Sequence, residues 1–255
     1  MPQSITNAQP ARFRSRHPGK IDAGNRNPYD PASWGTLYSW YNADYGVTLD
    51  GSNNVTTWVD KSVNHHIMNS LTSGDRPAFL SNQFGILNEF SGIQFADPEY
   101  LYGTDIPATG SSNRAIIIII KDVTENGSDP MNHICHWGTN ANDQSWGLVS
   151  KTGGSFEYGN HYWADHSHSL ITPVSSIKCI IENKIGDYEY WYQNGVLSTS
   201  VYKVCNTGST YGMLIGSRIE SPAEGANFCI CELMTYSNDI DVNSVWPVIK
   251  AQYGL

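Results

Sequence analysis

EYWYQNGVL, Glu189 to Leu197, sets Asn194-Gly195 between a dense run of aromatics and a new apolar stretch. An Asn-Gly pair is the strongest short-range hairpin signal, because a type I′ turn requires positive φ at both central residues and these two residue types tolerate it best. The chain reverses here. Upstream, IKCIIEN (Ile177 to Asn183) is rich in β-branched residues and is followed by Gly186 and Asp187, which read as a second reversal. Three antiparallel strands therefore follow one another between Ile177 and Tyr202, a meander rather than a strand-helix-strand unit.

The same cadence extends in both directions. LYSWYNA (Leu37 to Ala43), NVTTWVD (Asn54 to Asp60), GIQF (Gly92 to Phe95), RAIIIII (Arg114 to Ile120), HICHWGT (His133 to Thr139) and SWGLVS (Ser145 to Ser150) precede the meander. YGMLIGS (Tyr211 to Ser217) and FCICELMTY (Phe228 to Tyr236) follow it. Turn-forming clusters such as GSNN, SGDRP, ADPEY, TENGSDP and GTNAND separate these runs. Short strands broken by turns predict an all-β sandwich, whereas a parallel α/β chain would show longer helical patterns. AIIIII, apolar on both faces, reads as a central strand covered on both sides. Only the C-terminus predicts a helix: in VNSVWPVIKAQYGL, Val245, Val248, Ile249 and Tyr253 recur at spacings of three and four, with Pro247 expected in a first turn, Gly254 as a stop and Asp239 and Asp241 as caps.

The 255 residues suit one sandwich domain, and 8 Trp and 15 Tyr favour half-buried pleated surfaces and surfaces that bind. The formal charge of −9 argues against a nucleic-acid-binding body, which would need clustered Lys and Arg. That charge is uneven. Arg12, Arg14, Arg16, Lys20 and Arg26 face only Asp22 and Asp30 within residues 1–34, a net +3 that leaves −12 for residues 35–255. The head end reads as a basic arm without the apolar run of a signal peptide or a membrane anchor. Such a composition suits either a disordered tail or an extended arm that orders against an acidic partner. The five cysteines, an odd number without regular spacing, are expected to be buried free thiols.

Several segments together resemble a known family. WYNADYGVT with VTTWVDKSVNHH, the strand before YEYWYQNGVL, YGMLIGSR, FCICELMTY and IKAQYGL are similar to the concanavalin A-like lectin/glucanase (laminin G-like) jelly rolls, over residues 35–255. Ala226 or Asn227 stands where that family often has Gly. The resemblance implies a two-layer antiparallel jelly-roll sandwich with a short C-terminal helix, outside which residues 1–34 form an extended N-terminal arm. It implies little about ligand, since the family includes lectins, glucanases, adhesion modules and parts of virus particles.

Chemistry separates these classes. The family's glucanases draw their carboxylates from Glu-x-Asp-x-x-Glu or Glu-x-Asp-x-Glu on one strand, and neither pattern occurs here; a retaining hydrolase needs its two carboxyl groups about 5 to 5.5 Å apart. Glycoside hydrolysis is therefore a minor alternative, and the chain is expected not to be an enzyme. No metal or cofactor is assigned. His133, His136, His161, His166 and His168 lack metal-site spacing and read as exposed loop residues, as do His65 and His66. By family analogy KDVTENGSD offers calcium ligands in Asp122, Glu125, Asn126 and Asp129, although any solvated turn uses the same composition. A carbohydrate site is suggested by GTNANDQSWG and FEYGNHYWADHSH, where Asp143, Trp146, Tyr158, Asn160, Tyr162 and Trp163 combine aromatic faces for a pyranose with groups that take its hydroxyls. The competing reading packs Trp146 and Trp163 inside the sandwich.

Two functions are expected. The first is a non-enzymatic structural, decoration or tail protein of a virion, that of a bacteriophage, assembled in the host cytoplasm and displaying a lectin-like domain. Its basis is a fold usual outside cells combined with free cysteines, no secretion signal and a basic arm. In that arm Arg12, Arg14 and Arg16 would share one face of an extended strand, with Phe13 and Tyr29 as apolar anchors, and the arm would lie along other virion subunits or a neighbouring copy in a homo-oligomer. The second is a lectin or adhesin that recognises host-surface glycans. Nucleic acid and membrane insertion are not expected.

Overall fold

The computed structural model describes residues 29–86, 88–124, 131–139, 141, 144–151, 155–157, 176–217 and 227–255. These form sixteen strands and one α-helix in the order β1 (Leu37–Asn42), β2 (Val47–Leu49), β3 (Val55–Val59), β4 (Ile67–Asn69), β5 (Ala78–Phe84), β6 (Phe90–Phe95), β7 (Leu101–Tyr102), β8 (Arg114–Thr124), β9 (Met131–Gly138), β10 (Ser145–Lys151), β11 (Ser155–Glu157), β12 (Lys178–Ile185), β13 (Tyr188–Gln193), β14 (Val196–Tyr202), β15 (Tyr211–Ile215), β16 (Asn227–Tyr236) and α1 (Val242–Tyr253). The first sheet runs β14-β13-β12-β8-β16-β6-β5, with β1 also paired to β16. The second runs β11-β10-β9-β15-β7-β4-β3-β2. The protein is thus an all-β sandwich of two antiparallel sheets with one short C-terminal helix.

Strand alternation builds two cores around the first sheet. On β8, Ile116, Ile118 and Ile120 face the second sheet and join Trp58, Trp137, Trp146, Trp191, Phe228 and Leu233 between the layers. Ile117 and Ile119 face the other way and pack with Cys179, Ile181, Cys229, Cys231 and Met234 beneath Val245, Ile249 and Tyr253 of α1. Two apolar faces on one strand follow from covers on both sides. The helix begins where the Asp241 side chain accepts the Asn243 N–H and ends at Gly254, whose φ of 69° is the left-handed conformation of a glycine C-cap. Pro247 lies inside the helix on an exposed position, further from its start than the sequence suggested.

The β13–β14 hairpin forms as read: Asn194 and Gly195 take φ of 47° and 74°. Its tip is tied down twice, by Asn194 Oδ1 accepting the Cys179 N–H at 2.9 Å and by Gly195 lying against the Trp246 indole of α1. All five cysteines are buried free thiols, as expected.

Candidate functional site

Of the six residues anticipated for a carbohydrate site, Trp146 is the one that lies among the described residues. Trp146 is fully buried in the inter-sheet core, edge-on to Trp137 at 4.8 Å and beneath the Arg114 guanidinium at 5.3 Å from its ring centre. It is the second residue of β10, and its position faces inward with Leu148, as the competing reading had it. It therefore offers no ring face to a ligand. Asp143, Tyr158, Asn160, Tyr162 and Trp163 lie outside the described residues.

The arm is corrected at its inner end. Tyr29, expected to anchor on a partner, is buried on its own sandwich: its hydroxyl donates to Glu232, and its ring meets Trp34, Trp40 and Tyr253 at 5.4, 6.4 and 6.2 Å. Pro31 is buried too, its carbonyl accepting from Tyr236 Oη at 3.1 Å. An aromatic bracketed by apolar residues next to a buried carboxylate gains more from that site than from water. Arg12, Phe13, Arg14 and Arg16 lie outside the described residues. Of the calcium candidates, Asp122 sits in β8 with φ of 54° and its carboxylate 3.6 Å from Lys121 Nζ, while Glu125, Asn126 and Asp129 fall outside. Among the described residues no group of three or more His, Cys, Asp or Glu is arranged to hold a metal.

Two histidines, His133 and His136, differ from the reading of exposed loops, while His65 is exposed as read and His161, His166 and His168 lie outside the described residues. His133 and His136 are buried in β9 with ring centres 5.3 Å apart. His66 stacks on Tyr38 at 4.5 Å, with Nδ1 3.0 Å from Asp105.

A polar cluster that the sequence did not announce closes one end of the inter-sheet space. Arg114 and Lys184 are cross-strand partners, Lys184 also faces Glu189, and Glu182 faces Trp191, so alternation turns all four charged side chains inward. Arg114 donates to Thr207 Oγ1 at 2.6 Å and to the carbonyls of Gly110 and Ser112 at 2.6 and 3.0 Å. Lys184 Nζ reaches the carbonyls of Ser111 and Gly186 at 2.7 and 2.5 Å. Burial pushes the Glu189 carboxyl up to about 7 against the pull of Lys184 and Lys203. Burial raises Glu182 well above the ordinary carboxyl range, with Glu189 adding to the effect. Raised carboxyls are what an acid catalyst needs, yet Arg114, Glu182, Lys184 and Glu189 are all buried, so no polymer reaches them. The cluster serves the interior.

The outer face of the same strands carries a tyrosine ladder. Because Trp191 points inward, Tyr188, Tyr190 and Tyr192 point outward along β13. Tyr192 packs against the outer core, Tyr190 is half-buried, and Tyr188 is 47% exposed. Tyr202, directly opposite Tyr188 on β14, is 60% exposed. The Tyr188 ring centre lies 5.4 Å from Tyr202, edge to face, and 6.3 Å from Tyr190. Asn183, opposite Tyr190 on β12, holds the Ile240 backbone through both its amide atoms, which seats the Asn238–Asp241 loop beside the ladder. Asn113 links Asp239 to the Gly186 N–H, so the loop and the β12–β13 turn are fixed together. Rigid, exposed aromatic faces flanked by carboxylates and by the exposed hydroxyl of Ser200 can bind a flat ligand that has both C–H and O–H surfaces.

No family model and no curated protein matches the chain. Among solved structures it is similar to the receptor binding domain of botulinum neurotoxin D (TM-score 0.56, 12% identity, 85% of this chain and 52% of that one). It is also similar to Trypanosoma rangeli sialidase in complex with 2,3-difluorosialic acid (0.55, 11%, 84% and 33%). A third is domain 4 of AbnA, a GH43 extracellular arabinanase from Geobacillus stearothermophilus, in complex with arabinotriose (0.51, 13%, 84% and 98%). The chain spans about a third of the sialidase and about half of the toxin domain, but nearly all of the arabinanase domain. At these identities the likeness is one of fold.

Proposed function

We propose that this chain is a non-catalytic carbohydrate-binding sandwich of the concanavalin A-like kind, and that it binds through the tyrosine ladder of β13 and β14. The observation that carries the reading is the exposed Tyr188–Tyr202 pair, continued by Tyr190, on a sheet made rigid by cores on both its faces. Contiguous exposed aromatic surface marks a place where a partner gains by covering it, and tyrosine pairs an apolar face with a hydroxyl that hydrogen-bonds. The arabinanase domain, matched over almost its whole length and bound to arabinotriose, supports the reading by analogy of fold. A non-enzymatic role is supported by the enclosure of the two raised carboxyls.

The test is a glycan array probed with the full chain and with Tyr188→Ala/Tyr202→Ala. Binding by the wild type that the double variant loses supports the proposal; a wild type silent across the array overturns it. Display on a particle is compatible with this reading and rests on residues 1–28, and stoichiometric co-purification with virus particles is its test.

A further inference from the structure

The surroundings of the ladder bear on what kind of glycan fits. Three aspartates rim it. Asp187 is exposed in the β12–β13 turn beside Tyr188, and Asp239 and Asp241 stand in the loop seated next to Tyr190. The cations of the same strands are turned away: Lys184 is buried with its ammonium on backbone carbonyls, Lys203 is buried, and Lys178 lies at the opposite end of β12. The rim thus repeats locally the −12 carried by residues 35–255. An anionic sugar brought there would meet like charge, with no Arg or Lys of these strands turned to receive its carboxylate. A neutral sugar meets acceptors for its hydroxyls.

The shape of the platform limits the ligand further. β14 is the last strand of its sheet among the described residues, and Val196, Leu197, Tyr202 and Val204 are exposed along or just beyond it. Among the described residues the ladder therefore runs off an open edge, with a wall on the Asn238–Asp241 side. As far as the described residues go, such a surface touches a ligand from one face and offers no closed end to recognise a chain terminus. Tyr188 and Tyr190, 36° apart in plane and 6.3 Å between centres, offer successive rather than opposed ring faces.

On the premise that the ladder is the carbohydrate site, we infer that its ligand is an internal stretch of a neutral polysaccharide, held over several consecutive sugars, and not a terminal acidic sugar. Each one-sided contact is weak, so affinity accumulates with the number of sugars in register.

Affinity electrophoresis of the full chain tests this in gels cast with arabinan, mixed-linkage β-glucan or galactomannan as neutral probes, and polygalacturonate, hyaluronate or polysialic acid as acidic ones. The expected result is retardation by at least one neutral polymer, weakened about tenfold in Tyr188→Ala or Tyr202→Ala, and inhibited better by longer than by shorter oligosaccharides of that polymer. Asp187→Lys should add retention by an acidic polymer. Because these three side chains are exposed, the variants are expected to fold, and circular dichroism checks it. Retention of the wild type by acidic polymers alone overturns the inference while leaving carbohydrate binding standing. So does neutral retention that survives both tyrosine substitutions. Retention by no polymer, with no glycan bound on the array, overturns the binding proposal itself. A dimer in sedimentation that Tyr202→Ala dissociates would assign the ladder to a second copy of the chain and would also overturn the inference.

Discussion

Glu189 and Glu232 show how single buried carboxyls set the behaviour of the fold. Glu189 is pushed up to about 7 by burial, well above its value in an unfolded chain. A carboxyl raised on folding contributes its full stability below the unfolded pKa and loses it as pH rises through about 7, because the unfolded chain ionises first. Glu182, raised for the same reason, acts in the same direction. Stability against urea should therefore increase on going from pH 8 to pH 5.5. A tenfold difference in proton affinity between folded and unfolded chain is worth about 1.4 kcal/mol, so Glu189 accounts for roughly 3 kcal/mol over its whole titration, most of it within this interval. Glu189→Gln should flatten the profile here, and an equal slope in wild type and variant would remove Glu189 as the cause. Glu232 is 1% exposed and is held differently. Burial raises it, while Tyr29, Asn42, Tyr253 and Trp40 donate to it and pull it back. Tyr29→Phe keeps the ring contacts and deletes one donor, so it should cost about 1 to 3 kcal/mol in equilibrium denaturation.

At the scale of elements, the β13–β14 hairpin is fixed by both conformation and contact. A Cβ at position 195 would lie 2.2 Å from the Trp246 ring, and φ there is 74°. Gly195→Ala should therefore destabilise by about 1 to 3 kcal/mol, and Gly186→Ala, also at positive φ but with open space around it, should cost less. The reverse ranking in urea titrations would show that the Trp246 contact is not limiting. The hairpin was legible because its turn chemistry and alternation are local, and YEYWYQ and VLSTSVY are the bounds of β13 and β14. β8 was legible because a strand with two apolar faces has one explanation. Two- and three-residue strands such as β7, β4 and β2 carry too little periodicity to read, and in β5 the alternation breaks at Asn82, whose φ is 55°. The sites were less legible. The strand that carries Trp146 was read from Ser145, but its alternation alone leaves open whether the indole faces a ligand or the inter-sheet core, and contact with Trp137 decides it. Glu182, Lys184 and Arg114 come together only through the pairing of β8 with β12. The tyrosines of the ladder were in plain view, but which face of β13 they take depends on Trp191 finding the inter-sheet core.

For the whole molecule, the shared strands decide how the protein comes apart. β8 and β16 contribute one face to the inter-sheet core and the other to the layer under α1, so neither core persists without the first sheet. Trp58, Trp137, Trp146 and Trp191 report on the inner core, and Trp34, Trp40 and Trp246 on the outer one, while far-ultraviolet dichroism follows the sheets. Fluorescence and dichroism should give coincident urea transitions. Among the described residues this cooperative unit includes Tyr29 and Pro31, which composition had assigned to the arm. A chain of residues 35–255 loses the buried Tyr29 ring, the Pro31 contact and one donor to Glu232. Relative to residues 29–255 it should be less stable by about 3 kcal/mol or more, from the transfer of a large aromatic and the orphaned carboxylate together. If the segment from Tyr29 to Trp34 belonged instead to an arm that seeks a partner, the two truncations would unfold at the same urea concentration.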